Sequence, residues 1–546
     1  MQQPASSDAE ESDMEQETKE QHQQYIPTWS AFNSAIQNQP HQLTRVCVLP
    51  IIPTSPTDRT VQVTFFTQLE SLTKRISGNN AKCIITLDMG LYKPVQQLIM
   101  SQADFRGRWI IRPGELHISF AIIRAIGCFI DGTGIPELWS LLYSEATINS
   151  ILSGKNFRRS LKAHVRMLVA LQKCYFATFF KHHQQLHDYI QCKVQNLCDK
   201  FHESTACNAL DELKLAIDEY DLVRLKVFDE SEFETKPTFM MIRQYMHMVE
   251  LLLMFVGATR TGNWTIHLAT LEQIVKYFFA LDLTNYSGTI AWDIAEMYSL
   301  KETDPDIWNE FEQGNWIVHR TKTSFCALGC DEALEHQNRA MKVVGGLVGI
   351  TQHPHALARY FLTAPELQRV AQETLQMAGN IMNDYDSGRH HLDNISAVQK
   401  QEKAIDKISQ ELERVGNPFT YEDSELINLM TKSVFTDDIA SDVRQVESLG
   451  VDLYAVFKTN RIETASISLW APIKRNKLRL CSSSRKKIKL DLGGGISELF
   501  ADRNLFARLL IVTRSQRDVD LAETIGIYEM STVPRSMFAY DGTMFV

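Results

Sequence analysis

The chain contains few of the residues that interrupt regular structure, with 25 glycines and 16 prolines among 546 residues. Charged residues are also a minority, at 22% against 44% hydrophobic residues. Chains of the disordered class are instead poor in hydrophobic residues and rich in charge, proline or glycine. The length allows two to four domains, or one large domain with an insertion, each with its own core. The composition therefore predicts a globular protein.

The chain also lacks a dense cysteine framework, a signal peptide and a long apolar segment. Its ten cysteines are scattered, and its N-terminus is acidic where a secretory signal is basic and then apolar. The apolar runs ELLLMFVG (250–257) and ISFAIIRAIGCFI (118–130) are too short to cross a bilayer or are interrupted by Arg124. We therefore expect an intracellular protein, nuclear or cytoplasmic, that is neither secreted nor embedded in a membrane.

A strong net charge is missing from the body of the chain. The total is −10, but residues 1–24 alone hold seven acids against one lysine. A nearly neutral body neither requires nor excludes a nucleic acid partner, because a local basic groove can bind phosphates whatever the total charge. Residues 1–40 are rich in Gln, Glu, Ser and Asp, so we predict a disordered acidic tail there.

Three short apolar segments predict strands. RVCVLPII (45–52), KCIITLD (82–88) and RWIIRPG (108–114) alternate with the helix candidate 61–76 and a long apolar helix that begins at Glu115. Strands alternating with helices over about 90 residues indicate an α/β layer. We assign 41–144 to the first part of this α/β core.

The pattern downstream is mostly helical. Residues 145–305 have helical periodicity and predict a large all-helical insertion. GNWIVHRTK (314–322) predicts a strand, followed by the acidic helix CDEALEHQNRAMK, so that 306–352 would complete the core. We further predict a helical region at 353–465, a basic exposed loop or hairpin at 466–500 and an apolar C-terminal segment at 501–546.

Carboxylates near these elements are candidate metal ligands. Asp88 directly follows a predicted buried strand, and Asp331 and Glu335 lie four residues apart on one face of a helix. Such acids can hold Mg²⁺ or Mn²⁺ for phosphoryl transfer if the helical insertion brings them into one domain. The alternative is that Asp88 belongs to a turn, Asp331 favours a helix N-terminus and Glu335 faces solvent.

Two further groups of residues leave both functional and structural interpretations open. Glu115 and His117, in GELHISF, either bind a metal or phosphate, or are an N-terminal helix acid and a hydrogen-bonded histidine. Arg158, Arg159 and Lys162, with Arg166, have spacings that permit a nucleic-acid-binding face, although a solvated helix face has the same spacing. DNA is therefore one candidate partner, and the sequence does not indicate the oligomeric state.

Several longer segments resemble a large uncharacterised family that occurs in many copies in marine invertebrates and fungi. They are ITLDMGLY, RPGELHISFAIIRAIGCFIDGTGIPELW, GNWIVHRTKTSFCALGCDEALEHQNRAMKVVGGLVGIT, FLTAPELQRVA and LFARLLIVTRSQRDVDL, and the resemblance spans about residues 45–546. The family is known as a domain of unknown function and looks transposon-derived. The resemblance therefore implies an origin without an established activity.

The order of elements more distantly resembles Mutator-like and hAT transposases, whose core is ribonuclease-H-like. That resemblance implies an incomplete ribonuclease-H-like sheet interrupted by a helical insertion and followed by a helical C-terminal region. Asp88 would match the second catalytic acid, Glu335 the last, and GELH the family's C-x-x-H segment without its cysteine. The first catalytic acid has no counterpart, so we expect a degenerate nuclease or transposase site. The rival expectation is a non-catalytic helical protein that binds other proteins or nucleic acid.

Overall fold

The computed structural model describes most of the chain, with gaps. The described residues are 29–36, 42–46, 54–102 except 80, 105, 107–200, 206–224, 235–319, 325–343, scattered positions from 353 to 370, 395–420, 424–484, 487–491 and 496–500. Their fold is mostly helical, with a parallel pair of strands and an antiparallel hairpin. The α/β part expected from the sequence is thus much smaller than the helical part.

The elements follow one another in a simple order along the chain. The strands are β1 (Cys83–Leu87), β2 (Trp109–Pro113), β3 (Lys487–Asp491) and β4 (Ile496–Phe500). The helices are α1 (Trp29–Ile36), α2 (Arg59–Ser77), α3 (Met89–Ser101), α4 (Glu115–Ile130), α5 (Ile135–Leu138), α6 (Glu145–Leu152), α7 (Phe157–His182), α8 (Gln184–Lys200), α9 (Ala206–Val223), α10 (Pro237–Thr261), α11 (Trp264–Ala280), α12 (Thr284–Thr303), α13 (Pro305–Glu312), α14 (Cys330–Val343), α15 (Ile395–Val415) and α16 (Asp437–Phe457).

The chain divides into two compact units. The first contains residues 1–119, 253–272 and 289–403, and the second contains 120–252, 273–288 and 404–546. The predicted insertion 145–305 differs from this division, because its segments 253–272 and 289–305 belong to the first unit. The reason is packing: Trp264, Met297 and Leu300 share one apolar core with Ile110 of β2. Part of the helical block therefore completes the core around the strands.

The two parallel strands of the first unit agree with the sequence prediction. β1 and β2 pair from Cys83 opposite Trp109 to Leu87 opposite Pro113, with α3 as the crossover helix. Helix α2 precedes them, with Asp58 accepting hydrogen bonds from the first-turn amides and Gly78 (φ +96°) ending the helix. The C-terminal ends of β1 and β2 consequently lie at the same edge, as parallel pairing requires.

The predicted strand at 314–322 did not form over its described residues. Residues 314–319 form a turn through Trp316 in which only Val318 makes a bridge, to Leu328, and residues 320–322 lie outside the described residues. Trp316, Ile317 and Val318 are all buried, so the apparent alternation was not a two-faced strand. Arg45 and Val46 lie outside any strand, and the rest of the predicted strand 45–52 is outside the described residues. Among the described residues, the larger ribonuclease-H-like sheet is not present.

The terminal predictions are met in part. Helix α1 lies inside the predicted N-terminal tail, and its Trp29 packs edge-on against Phe325 at 5.1 Å. Residues 1–28 and the apolar segment 501–546 are outside the described residues. Strands β3 and β4 pair as an antiparallel hairpin within the segment predicted as a loop or hairpin.

One described helix, α10, is long and apolar enough to cross a membrane, and α4 together with the segment 135–141 would pass only as a pair bent by 106°. In α10, 78% of the apolar window is buried within the fold. Such burial is typical of a core helix, because a lipid-facing span would expose its apolar side chains. In the second unit, aromatic side chains pack around Tyr175, whose ring contacts those of Phe239 and Phe419.

Candidate functional site

Asp88 lies at the C-terminal end of β1, where the sequence placed it. Its side chain accepts a hydrogen bond from the Gly90 amide at 3.2 Å, so it caps the N-terminus of α3. The same carboxylate lies 3.4 Å from Nε2 of His117, which follows β2. Asp88 is thus a helix-capping residue and also a neighbour of the other candidate site residues.

Asp331 caps a helix other than its own. Its carboxylate accepts hydrogen bonds from the backbone amides of Leu116 and His117, both at 3.1 Å, at the N-terminus of α4. The residue before α4 is Gly114, whose carbonyl accepts the first helical bond from Ile118 but which has no side chain to cap the amides. Asp331, in the first turn of α14, supplies the missing acceptor from 217 positions further along the chain.

His117 bridges the two aspartates. Its Nδ1 lies 3.0 Å from Asp331 Oδ2, and its Nε2 faces Asp88. The hydrogen bond to Asp331 raises the pKa of His117 against the opposing effect of burial, and the charges of Asp88 and Glu335 raise this pKa further. Glu335 is exposed, one turn along α14 from Asp331. Asp88 and Asp331 therefore contact the His117 imidazole at the strand ends, and Glu335 acts on it only through its charge.

A buried ion pair lies beside this cluster. The Arg112 guanidinium of β2 donates to Glu115 at 2.6 Å and to the Trp316 carbonyl at 3.2 Å, and both charged side chains are 2% exposed. The same guanidinium lies about 5 Å from the rings of Trp264 (5.0 Å), Phe311 (5.3 Å) and Trp316 (5.0 Å). Burial raises the pKa of Glu115 to about 7, although Arg112 pulls it down. Glu115 therefore lies in the core, paired with Arg112.

The arrangement does not fit a divalent metal ion. Within the described parts of the chain, no group of three or more His, Cys, Asp or Glu side chains is placed to hold one. Both oxygens of Asp331 already accept backbone amide hydrogens, and one also contacts His117. The Glu332 amide donates to this carboxylate as well, so all of its about four acceptor positions are used, and a cation would have to displace one of these hydrogen bonds. The predicted ligands Asp88, Asp331 and Glu335 thus lie in the same region, but their oxygens are not arranged to coordinate one ion.

The cysteine beside the cluster, Cys330, is in an environment that favours its thiol form. Cys330, at the start of α14, lies with its sulfur 3.7 Å from the Trp316 carbonyl. Burial raises the pKa of its thiol to about 11, and the charge of Glu115 acts in the same direction. Since the thiolate is the reactive form, the raised pKa disfavours nucleophilic reactivity of this thiol near neutral pH.

The comparison with family models gives one match. A model described as a domain of unknown function (DUF8702) matches residues 28–527, which cover most of the chain and the whole cluster around His117. The chain belongs to this family. Among curated proteins and among solved structures, no match was found. The expected resemblance to a family of unknown function is therefore confirmed at that level, and the link between DUF8702 and transposases stays a prediction.

The predicted basic face of the DUF8702 chain is only partly exposed. Arg158, Arg159 and Lys162 are exposed in the first turns of α7. Arg166 is buried and donates to the Tyr143 hydroxyl at 2.9 Å, so it does not join that face. The i+8 spacing placed Arg166 on the same side of the helix, but that side is covered by the fold one turn further along.

Several residues that build the cluster around His117 were not identified from the sequence. They are Gly114, whose missing side chain leaves room for Asp331; Arg112; and Trp316, whose carbonyl and ring both face Arg112. A signal was present for Arg112, because a charged residue within a strand that is apolar on both sides must be paired. No local signal marks Gly114 or Trp316, since their partners lie about 200 positions away.

Replacing Gly114 by alanine is expected to reduce the free energy of unfolding by about 1–3 kcal/mol, through overpacking and loss of the cap. A β-carbon there would overlap Oδ2 of Asp331, so the carboxylate would have to leave the α4 amides. Gly90→Ala is the matched control, because a β-carbon at Gly90 meets nothing within 4 Å. Urea denaturation of both variants measures the difference, and equal stability of the two would contradict the capping role of Asp331.

Proposed function

We propose that the chain is a transposon-derived protein whose ribonuclease-H-like core retains a degenerate acidic site. Three placements support this origin. Asp88 follows β1, His117 follows the adjacent parallel strand β2, and Glu335 comes from a helix beyond the helical block. This is the order of elements that the resemblance to Mutator-like and hAT transposases implies. The assignment of ancestry rests on analogy of arrangement, so its test must be chemical.

The position of His117 between Asp88 and Asp331 is the observation that supports a degenerate site. In a metal-dependent nuclease, cations would neutralise the acids and bind the phosphate oxygens. Here His117 lies between the same acids, and its hydrogen bond to Asp331 raises its pKa, which favours the positively charged form of the ring. The acids consequently stabilise the imidazolium and the start of α4, and the proposed present role involves no metal-dependent cleavage.

Titration of the full chain with Mn²⁺ and Mg²⁺, followed by nuclease and strand-transfer assays, tests the proposal. We expect no saturable metal binding and no cleavage in the parent, in Asp88→Ala or in Glu335→Ala. Glu302→Ala, at an exposed acid near the end of α12, is the control. Manganese-dependent cleavage by the parent that is lost in Asp88→Ala and Glu335→Ala but kept in Glu302→Ala would show an active nuclease and overturn the degenerate state.

The same assay addresses the non-catalytic alternative of nucleic acid binding. Arg158, Arg159 and Lys162 form an exposed basic group at the N-terminal end of α7. Retention of DNA without cleavage, weakening as salt rises and lost on reversal of these three charges, would favour this alternative. DNA retention that the reversal leaves unchanged would remove it.

A further inference from the structure

The second unit contains a helical hairpin with one exposed surface. Helices α8 and α9 pack against each other, and Lys193 of α8 forms an ion pair of 3.0 Å with Glu212 of α9. On α9, Ala216 and Tyr220 are buried, at 1% and 9% exposure. These residues mark the inward side of the helix, so positions about half a turn away from them point outward.

The outward side of α9 combines leucines with acids. Leu215 and Leu222 are 69% and 53% exposed, and Asp218 and Glu219 between them are also exposed. The spacing of three, four and seven residues from Leu215 places all four on one helix face. We name these four residues the α9 face. Two exposed leucines seven residues apart are the pattern by which one helix recognises another.

A cavity adjoins this face. It measures about 630 Å³ and lies between the start of α8 and the end of α9, where Tyr189, Leu186 and His183 line one side and Glu219 and Val223 the other. Glu219 therefore belongs to both the α9 face and the cavity wall. The Tyr189 ring already has the Lys193 ammonium 5.5 Å from its centroid. The Glu219 carboxylate can attract a further long cationic side chain, whose apolar stem would contact Leu186 and Val223.

We propose that the α9 face docks an amphipathic helix of a partner protein that carries lysine or arginine beside its apolar residues. The partner's leucine-like side chains would cover Leu215 and Leu222, and one basic side chain would enter the cavity toward Glu219. This inference concerns a surface separate from the cluster around His117 and does not rest on the proposed nuclease ancestry.

The negative charge of the α9 face favours a basic helix over a second copy of the chain, a nucleic acid or an anionic membrane. A second copy of the chain would bring Asp218 and Glu219 against the same acids, and like charges facing each other are unfavourable. Nucleic acids and anionic membranes carry the same sign as the α9 face and would be repelled. An amphipathic basic helix can contact the leucines of the face with its apolar residues and the acids with its lysines or arginines.

Selection of displayed amphipathic helical peptides with randomised polar positions against the full chain tests the proposal without assuming a partner. We expect the selected peptides to be enriched in lysine and arginine. Their affinity should fall at least about 10-fold for the variant with Leu215→Ser and Leu222→Ser, and similarly for the variant with Asp218→Lys and Glu219→Lys. Leu334→Ser, at a leucine of α14 that is 58% exposed, is the matched control and should bind like the parent.

Several results would contradict the docking of a basic helix on the α9 face. Failure to enrich any peptide, enrichment of acidic or neutral peptides, or affinity unchanged in the α9 variants would overturn the proposal. Sedimentation of the parent as a dimer that Leu215→Ser dissociates would assign the face to a second copy instead. Circular dichroism of each variant, compared with the parent, establishes that the helices are retained.

Discussion

Substitution of Arg112 by alanine is expected to lower the free energy of unfolding by about 3–5 kcal/mol, the cost of removing one partner from a buried ion pair. The guanidinium is the cation facing Glu115, and it fills space among three aromatic rings. Its loss would leave a carboxyl group buried without its counter-charge and a void beside Trp264 and Trp316. Chemical denaturation monitored by tryptophan fluorescence measures the change directly, because these rings contact the substituted side chain.

Arg112→Lys separates the charge from the shape of this side chain. Lysine keeps a positive charge but has neither the planar fork that donates to Glu115 and the Trp316 carbonyl nor the stacking surface. We therefore expect a stability between those of the parent and Arg112→Ala. Arg75→Ala, at an exposed arginine in the last turn of α2, is the control and should cost less than about 1 kcal/mol. A loss of similar size in the control would show that the buried environment of Arg112 is not the cause.

The second large effect concerns pH. Glu296 of α12 is mostly buried, and its carboxyl accepts a hydrogen bond from the Gln96 amide at 2.8 Å. Burial raises the pKa of Glu296 to about 7 from a usual value of 4.5. The nearby Asp293 is 3% exposed, and burial likewise raises its pKa, with the charges of Glu296 and Glu115 adding to the rise while Arg112 opposes it. The first unit thus holds several buried acids that favour their protonated forms.

The sign of the pH effect follows from proton binding. Between pH 4.5 and about 7, folded Glu296 keeps a proton that the unfolded chain has lost, so the folded state binds more protons. Its contribution to stability is fully present below pH 4.5 and is lost as pH rises through about 7. The shift corresponds to at most about 3 kcal/mol. Glu115 and Asp293 act in the same direction, so the first unit should weaken as the solution becomes alkaline.

Glu296→Gln removes this dependence for one group, because glutamine keeps the shape and an acceptor oxygen without ionising. We expect the variant to be more stable than the parent by about 1–3 kcal/mol at pH 8 and nearly equal to it at pH 4.5. Glu302→Gln, at an exposed position of the same helix, should follow the parent at both pH values. Denaturation curves at the two pH values measure the difference, and an equal effect of Glu296→Gln at both would refute ionisation as its source.

Part of the candidate site was predictable because parallel strands bring their C-terminal ends to one edge. The strands at 82–88 and 108–114 and the helix from Glu115 were identified from apolar patterns, so the positions of Asp88 and of the GELH segment at strand ends followed from the sequence. The approach of Asp331 and Glu335 depended on the expectation, drawn from the order of predicted elements, that the helical block is an insertion after which the chain returns to the core. The helix Cys330–Val343 itself was evident from its periodicity.

The wrong predictions have one cause. The spacing of apolar and polar residues does not show which other elements pack against each side of a segment. Trp316, Ile317 and Val318 looked like an amphipathic strand but are all buried, in a turn whose Trp316 indole donates to the Gly262 carbonyl at 2.9 Å. Arg166 looked exposed by helical spacing but contacts Tyr143 in the interior. In both cases the decisive neighbour came from a different element.

By itself, the sequence determined the helical character of most described residues, the two parallel strands and the position of Asp88 at a strand end, because these follow from local periodicity and chain connectivity. Only the tertiary structure decided that Asp331 caps α4 in place of a side chain at Gly114, that His117 lies between two acids, and that Arg112 is enclosed by aromatic rings. These contacts join residues up to about 215 positions apart. The balance of burial, charge and hydrogen bonding at such contacts depends on every surrounding group, which no local pattern encodes.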